Sequence, residues 1–495
     1  MAMSLTIEQE PVNTADKVPV ITNWTPMIGY MILNDEIDGL FYFKLVLEVR
    51  LDDASGTLIA KIKQRRNGYS SDITNDRARA FFDLRDIVNS QLTDTVFDQN
   101  QDSSTGVPFE TIHKVGANTG VTATPFSLNG DNRTDGTQLQ TIYVKGYQEY
   151  SDAASAIPQE DTTPSVNDTL VYMGASLPLM TARDDDSDYI QGTAFQVFQA
   201  SSETDRFLSD IETSAGEHGL SGYINHVQWN DTTEVGDYHT VAFLNDYTNF
   251  TSDIDYIQVA YYTAGNALIN DIEYIANVSG NGGASPSGGS LTDDERLLYF
   301  GCGPGNLEAQ TDTPDAKPSN NTDWAYYTIR GTGNNAGTQL ETAIYYFIKQ
   351  DGSCKGFKVR RLAWRNSLGC YDYFNFKMKS TQTIEVTRNN YSSIMGRFNS
   401  SKWYYNNTMR GKKTRQTTAI LKETLNTDWI TEQDGNLLEK LIMSTDVYIV
   451  ENADTTYTEG VMITDSSFVR KTRANDKMIQ YTIKIEYANP INTNS

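Results

Sequence analysis

Histidine, cysteine and long apolar runs are scarce in this chain, and each scarcity removes a class of chemistry. Its 495 residues hold four histidines, His113, His218, His226 and His239, with no i,i+4 pair and no HExxH arrangement. Zinc hydrolysis needs such spacing to aim two imidazoles at one ion, so these histidines are expected to be structural and no metal site is assigned. Cys302, Cys354 and Cys370 are odd in number and widely spread. They fit neither a disulfide framework nor a CxxC metal pair, and they point to a reducing compartment. No stretch approaches ~18 consecutive apolar residues, and the start, Met1-Ala2-Met3-Ser4-Leu5-Thr6, lacks the basic and apolar regions of a signal peptide. A protein made in the cytoplasm, without a membrane segment, is expected.

Nucleotide and nucleophile motifs are missing as well. There is no GxSxG elbow, P-loop or dinucleotide fingerprint. Gly301-Cys302-Gly303-Pro304-Gly305 has the glycines of a phosphate loop, but its proline and the lack of Lys-Ser/Thr read as a plain turn. Among 64 Asp and Glu no glycosidase pair can be singled out. Catalytic residues and cofactors are therefore expected to be none.

What is present is aromatic and acidic. A count of 29 Tyr and 19 Phe supplies large surfaces to bury, while the length exceeds what one core fills, so about three domains are expected. The formal charge of −24 argues against a specific nucleic-acid site, because neutralising phosphates takes clustered cations. That charge is unevenly spread. From Lys355 to Arg415 there are 14 Lys or Arg against Asp372 and Glu385, whereas residues 151–220 hold two Arg against 13 acids. Complementary faces for assembly would look like this, as would two differently solvated surfaces. Arg183-Asp184-Asp185-Asp186-Ser187-Asp188 offers carboxylates to calcium but lacks the glycine and closing glutamate of an EF-hand loop, which favours a solvated acidic turn.

Periodicity along the chain is that of strands. Leu40 to Leu51, a turn at 52–56 and Thr57 to Lys63 predict a hairpin; Leu139 to Tyr150 predicts another strand. Shorter strands are expected at 195–198, 238–244, 256–262 and 342–348, and the Gly/Ser-rich stretch 279–290 reads as a loop. One helix is clear over 431–443: Thr431 can cap it, and Leu437, Leu438, Leu441 and Ile442 form one stripe. Tyr481, Ile483, Ile485 and Tyr487 alternate with polar residues, predicting an antiparallel strand with one wet face. The basic stretch is interleaved with Trp364, Tyr371, Tyr373, Phe374, Phe376, Trp403, Tyr404 and Tyr405. Such a set could stack single-stranded nucleic acid, but the alternation over 370–379 favours a strand with a buried aromatic face.

Two segments resemble virion structural proteins of tailed bacteriophages. Leu297 to Leu307 carries a GPxNL turn, and Arg361 to Phe376 carries a W-x-N-x-x-G-x-x-D-x-F-x-F strand pair on Trp364, Asn366, Gly369, Asp372, Phe374 and Phe376. The ending from Asn426 to Lys471 is also similar, and 41–51 with 81–84 is so more weakly. Arg365 and Tyr371 depart from the family's usual Leu and Gly. The resemblance implies a non-enzymatic tail or baseplate part, assembled in the host cytoplasm and carried in the virion.

The combined expectation is a mainly β protein of several antiparallel, sandwich-like domains with a few short helices. The domains would be an N-terminal β domain over 1–155, a central one over 156–375 and a C-terminal α+β assembly domain over 376–495. It would form a symmetric ring or tube with other tail and head proteins, using Arg360, Arg361, Lys412 and Lys413 as contact residues, because one repeated interface closes a ring. Rival functions are a glycan-binding or glycan-cleaving receptor protein and a capsid fibre or decoration protein; internal repeats, which a long fibre would show, are absent.

Overall fold

The computed structural model describes residues 3–7, 20–21, 28–33, 40–65, 78–91, 113, 126–128, 139–173, 207–212, 214–215, 220–244, 254, 256–276, 297–309, 314–350, 357–409, 411–450, 458–465, 467–469 and 479–494. The expected strand at 195–198, the acidic turn at 184–188, the 279–290 loop, His218 and Cys354 lie outside them. The protein is mainly β, built of several sheets with almost wholly antiparallel pairing and a few short helices. Among the described residues two pairs are parallel: Val20–Ile21 with the end of Gln159–Met173, and Ser221–Asn230 with Tyr345–Gln350. Among the described residues no helix is long and apolar enough to cross a membrane.

Two compact units divide the chain, one of residues 1–350 and 366–372, the other of 351–365 and 373–495. Position 155, expected as a boundary, lies in a turn. The strands on either side of it, Leu139–Ser151 and Gln159–Met173, pair with each other as a hairpin, so the chain continues in one sheet through this position. A second change falls near 375, where the strand Tyr371–Phe376 begins in one unit and ends in the other.

In the first unit, a five-stranded sheet holds Val20–Ile21, Gln159–Met173, Leu139–Ser151, Phe41–Leu51 and Leu58–Arg65 in that order. The predicted hairpin is its edge. Strict alternation sends Phe43, Leu45, Leu47 and Val49 into one core with Ala80, Phe82, Leu84, Val88, Ile142 and Val144. The opposite face carries Lys44, Glu48, Lys61, Lys63, Tyr147, Glu149 and Glu160. Lys63 and Lys61 reach Glu160 at 2.8 Å and 3.1 Å although two strands intervene. A flat sheet would hold those outer strands roughly 14 Å apart, so this one curls toward its polar face.

A seven-stranded sheet in the same unit runs Ser214–Ala215, Ser221–Asn230, Tyr345–Gln350, Tyr326–Thr332, Tyr256–Tyr262 and Leu268–Ala276, with Val235–Gly236 beside the second. Its core is aromatic. Tyr345 and Phe347 stack at 4.7 Å, Phe347 and Tyr327 at 4.9 Å, and Phe207 meets Tyr345 edge-on. The many tyrosines of the sequence thus fill a buried layer whose ring contacts fix the register of neighbouring strands.

The second unit is an eight-stranded sheet in the order Tyr371–Phe376, Arg360–Arg365, Val447–Val450, Thr458–Ile463, Thr482–Tyr487, Lys412–Asn426 and Thr381–Ser392, with Asn492–Asn494 pairing the start of the long strand's inner half. The predicted helix forms as Glu432–Met443. Thr431 and Asp434 cap each other reciprocally, the Thr431 hydroxyl taking the Asp434 amide and the Asp434 carboxylate taking the Thr431 amide. Leu437, Leu438 and Leu441 are buried. The last strand alternates as its sequence requires, with Tyr481, Ile483, Ile485 and Tyr487 inside.

Candidate interaction surface

The four basic residues expected at contacts separate into two buried and two exposed. Arg360 and Arg361 are inside the second unit, which corrects the expectation for both. Arg360 donates from Nε to Glu423 Oε1 at 3.0 Å, where Glu423 also accepts from Tyr487 at 2.7 Å and Gln382 at 3.1 Å. Burial acts to raise the Glu423 carboxyl, but these donors outweigh it and hold the group below the ordinary range. Arg361 donates to Asn375 Oδ1 at 2.8 Å and lies 5.0 Å over the Tyr373 ring. Both guanidiniums are buried and engaged by groups within the unit, Arg360 by a carboxylate and Arg361 by an amide oxygen and a ring.

Lys412 and Lys413 are exposed, on an arm. The strand Thr381–Ser392 is the outer strand of its sheet and is exposed at all 12 positions. It pairs along its length with Lys412–Asn426, from Thr381 opposite Thr424 to Ser392 opposite Lys412, with a bulge that leaves Arg415 as the extra residue. On the Lys412 side of Thr417 the long strand has no other described neighbour, so residues 389–392 and 412–416 make a two-stranded ribbon with both outer edges open among the described residues, while 381–388, opposite 417–424, is the open edge of the sheet. A smaller hairpin, Arg397–Asn399 with Lys402–Tyr404, forms its tip, where Phe398 and Trp403 meet edge-on at 5.6 Å.

The arm as a whole, residues 381–416, is apolar and cationic at once. Ile394 is 82% exposed and Phe398 73%, and Ile384, Met395, Trp403, Tyr404 and Tyr405 are also exposed. Between 381 and 416 the sequence has seven Lys or Arg and one acid, Glu385. That acid is engaged at the base, where Lys422 bridges Glu385 and Glu486. Among the described residues Arg388, Arg397, Lys402, Lys412, Lys413 and Arg415 have no carboxylate within ion-pair reach. The basic-aromatic stretch therefore divides in two: Trp364, Tyr371, Tyr373 and Phe376 are core, while Trp403, Tyr404 and Tyr405 face solvent.

The motif residues are structural. Asn366 takes the amides of Leu368 and Cys370 on its Oδ1 and gives its Nδ2 to Leu208 O and Asp372 Oδ2. Gly369 sits at φ +81, a backbone state that a side chain would strain. Asp372 accepts from Ser209 Oγ at 2.5 Å and from the Asp210 amide at 2.8 Å, while the Asp210 carboxylate accepts from the Ser367 amide and hydroxyl. Burial first, then the charge of Asp210, push the Asp372 carboxyl up to about 7. A raised carboxyl is what a glycosidase acid needs, but Asp372 is 1% exposed and both of its oxygens are occupied. Sequence reasoning missed this hub because its partners lie near residue 210.

In the GPxNL segment, Pro304–Glu308 is a helical turn. Asn306 accepts from the His239 amide and donates to the His113 carbonyl. A side chain at Gly303 would begin 2.4 Å from the His239 nitrogen, so close packing demands glycine there. His239 itself is buried beside Tyr345, at 3.4 Å from its hydroxyl. Cys302 and Cys370 are buried.

On the curled sheet, Glu48, Glu149 and Glu160 are matched by Lys44, Arg50, Lys61 and Lys63. Hydrogen bonds from Lys63 and Lys61 bring Glu160 down to about 2, and burial takes the Tyr147 hydroxyl up to about 12. Every carboxylate of this cluster is held ionised near neutral pH, which suits cross-bracing of the strands rather than proton transfer. Among the described residues no group of His, Cys, Asp and Glu is arranged to hold a metal ion. No protein-family model matches the chain, and no curated protein matches it.

Proposed function

We propose that the chain is a structural component of a tailed-phage particle, a tail or baseplate ring or tube part that works by assembling with its own copies and with other tail and head proteins. The observation that carries this reading is the arm: an exposed edge strand with apolar side chains and unmatched cations is a surface suited to another protein. The phage-like motif residues support it from the other side, because Asn366, Asp372 and Asn306 tie the chain together and leave no reactive group of theirs exposed. Antibody raised to the purified chain should label the tails of particles banded from cultures that produce it, and peptide mass spectrometry of those particles should find it. Tailed particles free of the chain would end the reading.

A glycan-directed receptor module of the same particle is the second reading. It draws on Trp403, Tyr404 and Tyr405, whose exposed rings could stack on sugars. Retention of the chain on host-surface polysaccharide, lost on changing Trp403 to Ala, would favour it.

A further inference from the structure

Beyond the proposed role lies the question of what covers the arm, and the answer rests on that role. We infer that the arm of residues 381–416 docks on an acidic surface of a second copy of this chain, adding its open strand edges and apolar tip to that neighbour.

Three observations converge on this occupant. A lone two-stranded ribbon is marginally stable in water, since few of its side chains find cover. Here the two-stranded part, 389–392 with 412–416, carries Ile394 and Phe398 uncovered at its tip, and the sheet-edge strand that leads to it is exposed at all 12 positions, Ile384 included. Such a ribbon is completed by a partner that supplies both main-chain groups and apolar contacts. Strand addition does both, with main-chain hydrogen bonds giving affinity and side-chain contacts giving specificity.

Charge then selects the partner. The chain carries −24 in total and the arm +6, which leaves −30 on everything else. Cations that find no acid on their own arm meet an excess of acid on any neighbouring copy. Length is sufficient too: standard interfaces take about 20–30 residues a side, and the arm alone supplies that many.

A polyanion such as nucleic acid would answer the cations and could stack on Trp403 and Tyr404. It would leave Ile384, Ile394 and Met395 wet and the strand edges without main-chain partners. The protein partner satisfies all three features of the ribbon together.

The test mixes nitrogen-14 and nitrogen-15 forms of the full chain, joins contacting amines and carboxylates with a zero-length carbodiimide, and reads the cross-linked peptides by mass spectrometry. Mixed-isotope links from Lys412 and Lys413 to acids of the other copy are expected. In parallel, sedimentation velocity compares the wild type with Arg388→Glu/Lys412→Glu/Lys413→Glu/Arg415→Glu, with Ile394→Ser/Phe398→Ser, and with the charge-preserving Lys412→Arg/Lys413→Arg. The first two should associate roughly 100-fold more weakly, the third like the wild type, all with unchanged circular dichroism. Raising salt should weaken the wild type in the same direction.

Links confined to one isotope, or a charge-reversed variant that assembles like the wild type, would overturn the inference while leaving an assembly role intact. A wild type that stays monomeric at every concentration also overturns it. Retention of labelled single-stranded DNA at physiological salt by the wild type and not by the charge-reversed variant, without mixed links, would assign the arm to nucleic acid instead. Whether the chain is in the particle is decided separately by its presence in tails.

Discussion

Replacing Asp372 by Asn should remove a pH dependence that the wild-type fold carries. In the folded chain the carboxyl is buried and pushed up to about 7, against 3.8 for the free group. Between those values the folded state holds a proton that the unfolded chain has released, so stability falls as pH rises from about 4 to about 7. Three units at about 1.4 kcal/mol each put the full cost on the order of 4 kcal/mol, of which about 3 kcal/mol falls between pH 5 and pH 8. Asn fits the site: its oxygen can keep the Asp210 and Asn366 donors, and its amide can face Ser209 Oγ, which then accepts. Because a two-unit chain is not expected to unfold in one step, the measurement is local. Urea-dependent hydrogen exchange of peptides spanning 207–211 and 366–372, corrected for the pH dependence of the exchange chemistry, gives the opening free energy at each pH. Between pH 5 and pH 8 the wild type should lose about 3 kcal/mol more of that opening free energy than Asp372→Asn does. Identical pH slopes in wild type and variant would refute the argument and show that the carboxyl is ionised in the fold.

Further perturbations test other parts of the structure. Glu423→Ala strands Arg360 in the interior and should cost about 3 kcal/mol in the second unit, whereas the double change Arg360→Met/Glu423→Leu should recover most of it; urea midpoints of both variants check this. In the curled sheet the sign is opposite to that at Asp372. Glu48, Glu149 and Glu160 are held below their usual values, so their contribution is present above about pH 4.5 and lost on acidification, with Glu160 last near pH 2. Exchange protection over 139–151 should decline through that window, and protection that holds flat down to pH 2 would contradict the ion-pair account. Thr431→Ala removes half of the reciprocal cap and should cost about 1 kcal/mol, seen as faster exchange in the first turn of 432–443.

Legibility in the sequence followed the range of the interaction. The cap at Thr431, the alternation from Tyr481 to Tyr487 and the hairpin of 41–51 with 58–65 depend on residues a few positions apart, and each is visible as a local pattern. The mainly β, antiparallel character follows from the same periodicity and from the wealth of aromatic and β-branched residues. Partners distant in the chain were not legible. Ser209 lies 163 residues from Asp372, and Arg360 lies 63 from Glu423.

That difference explains the divided fate of the basic stretch. In the linear chain, Arg360, Arg361, Lys412 and Lys413 are equivalent cations in one run; folding buries the first two against Glu423, Asn375 and Tyr373 and leaves the others on an open ribbon. Charge, strand periodicity and one helix with its cap could be read directly from the residues, because each is a property of near neighbours in the chain. Which charges are neutralised and which surfaces stay uncovered depended on the folded arrangement, because desolvation and pairing are set by what remote parts of the chain bring alongside.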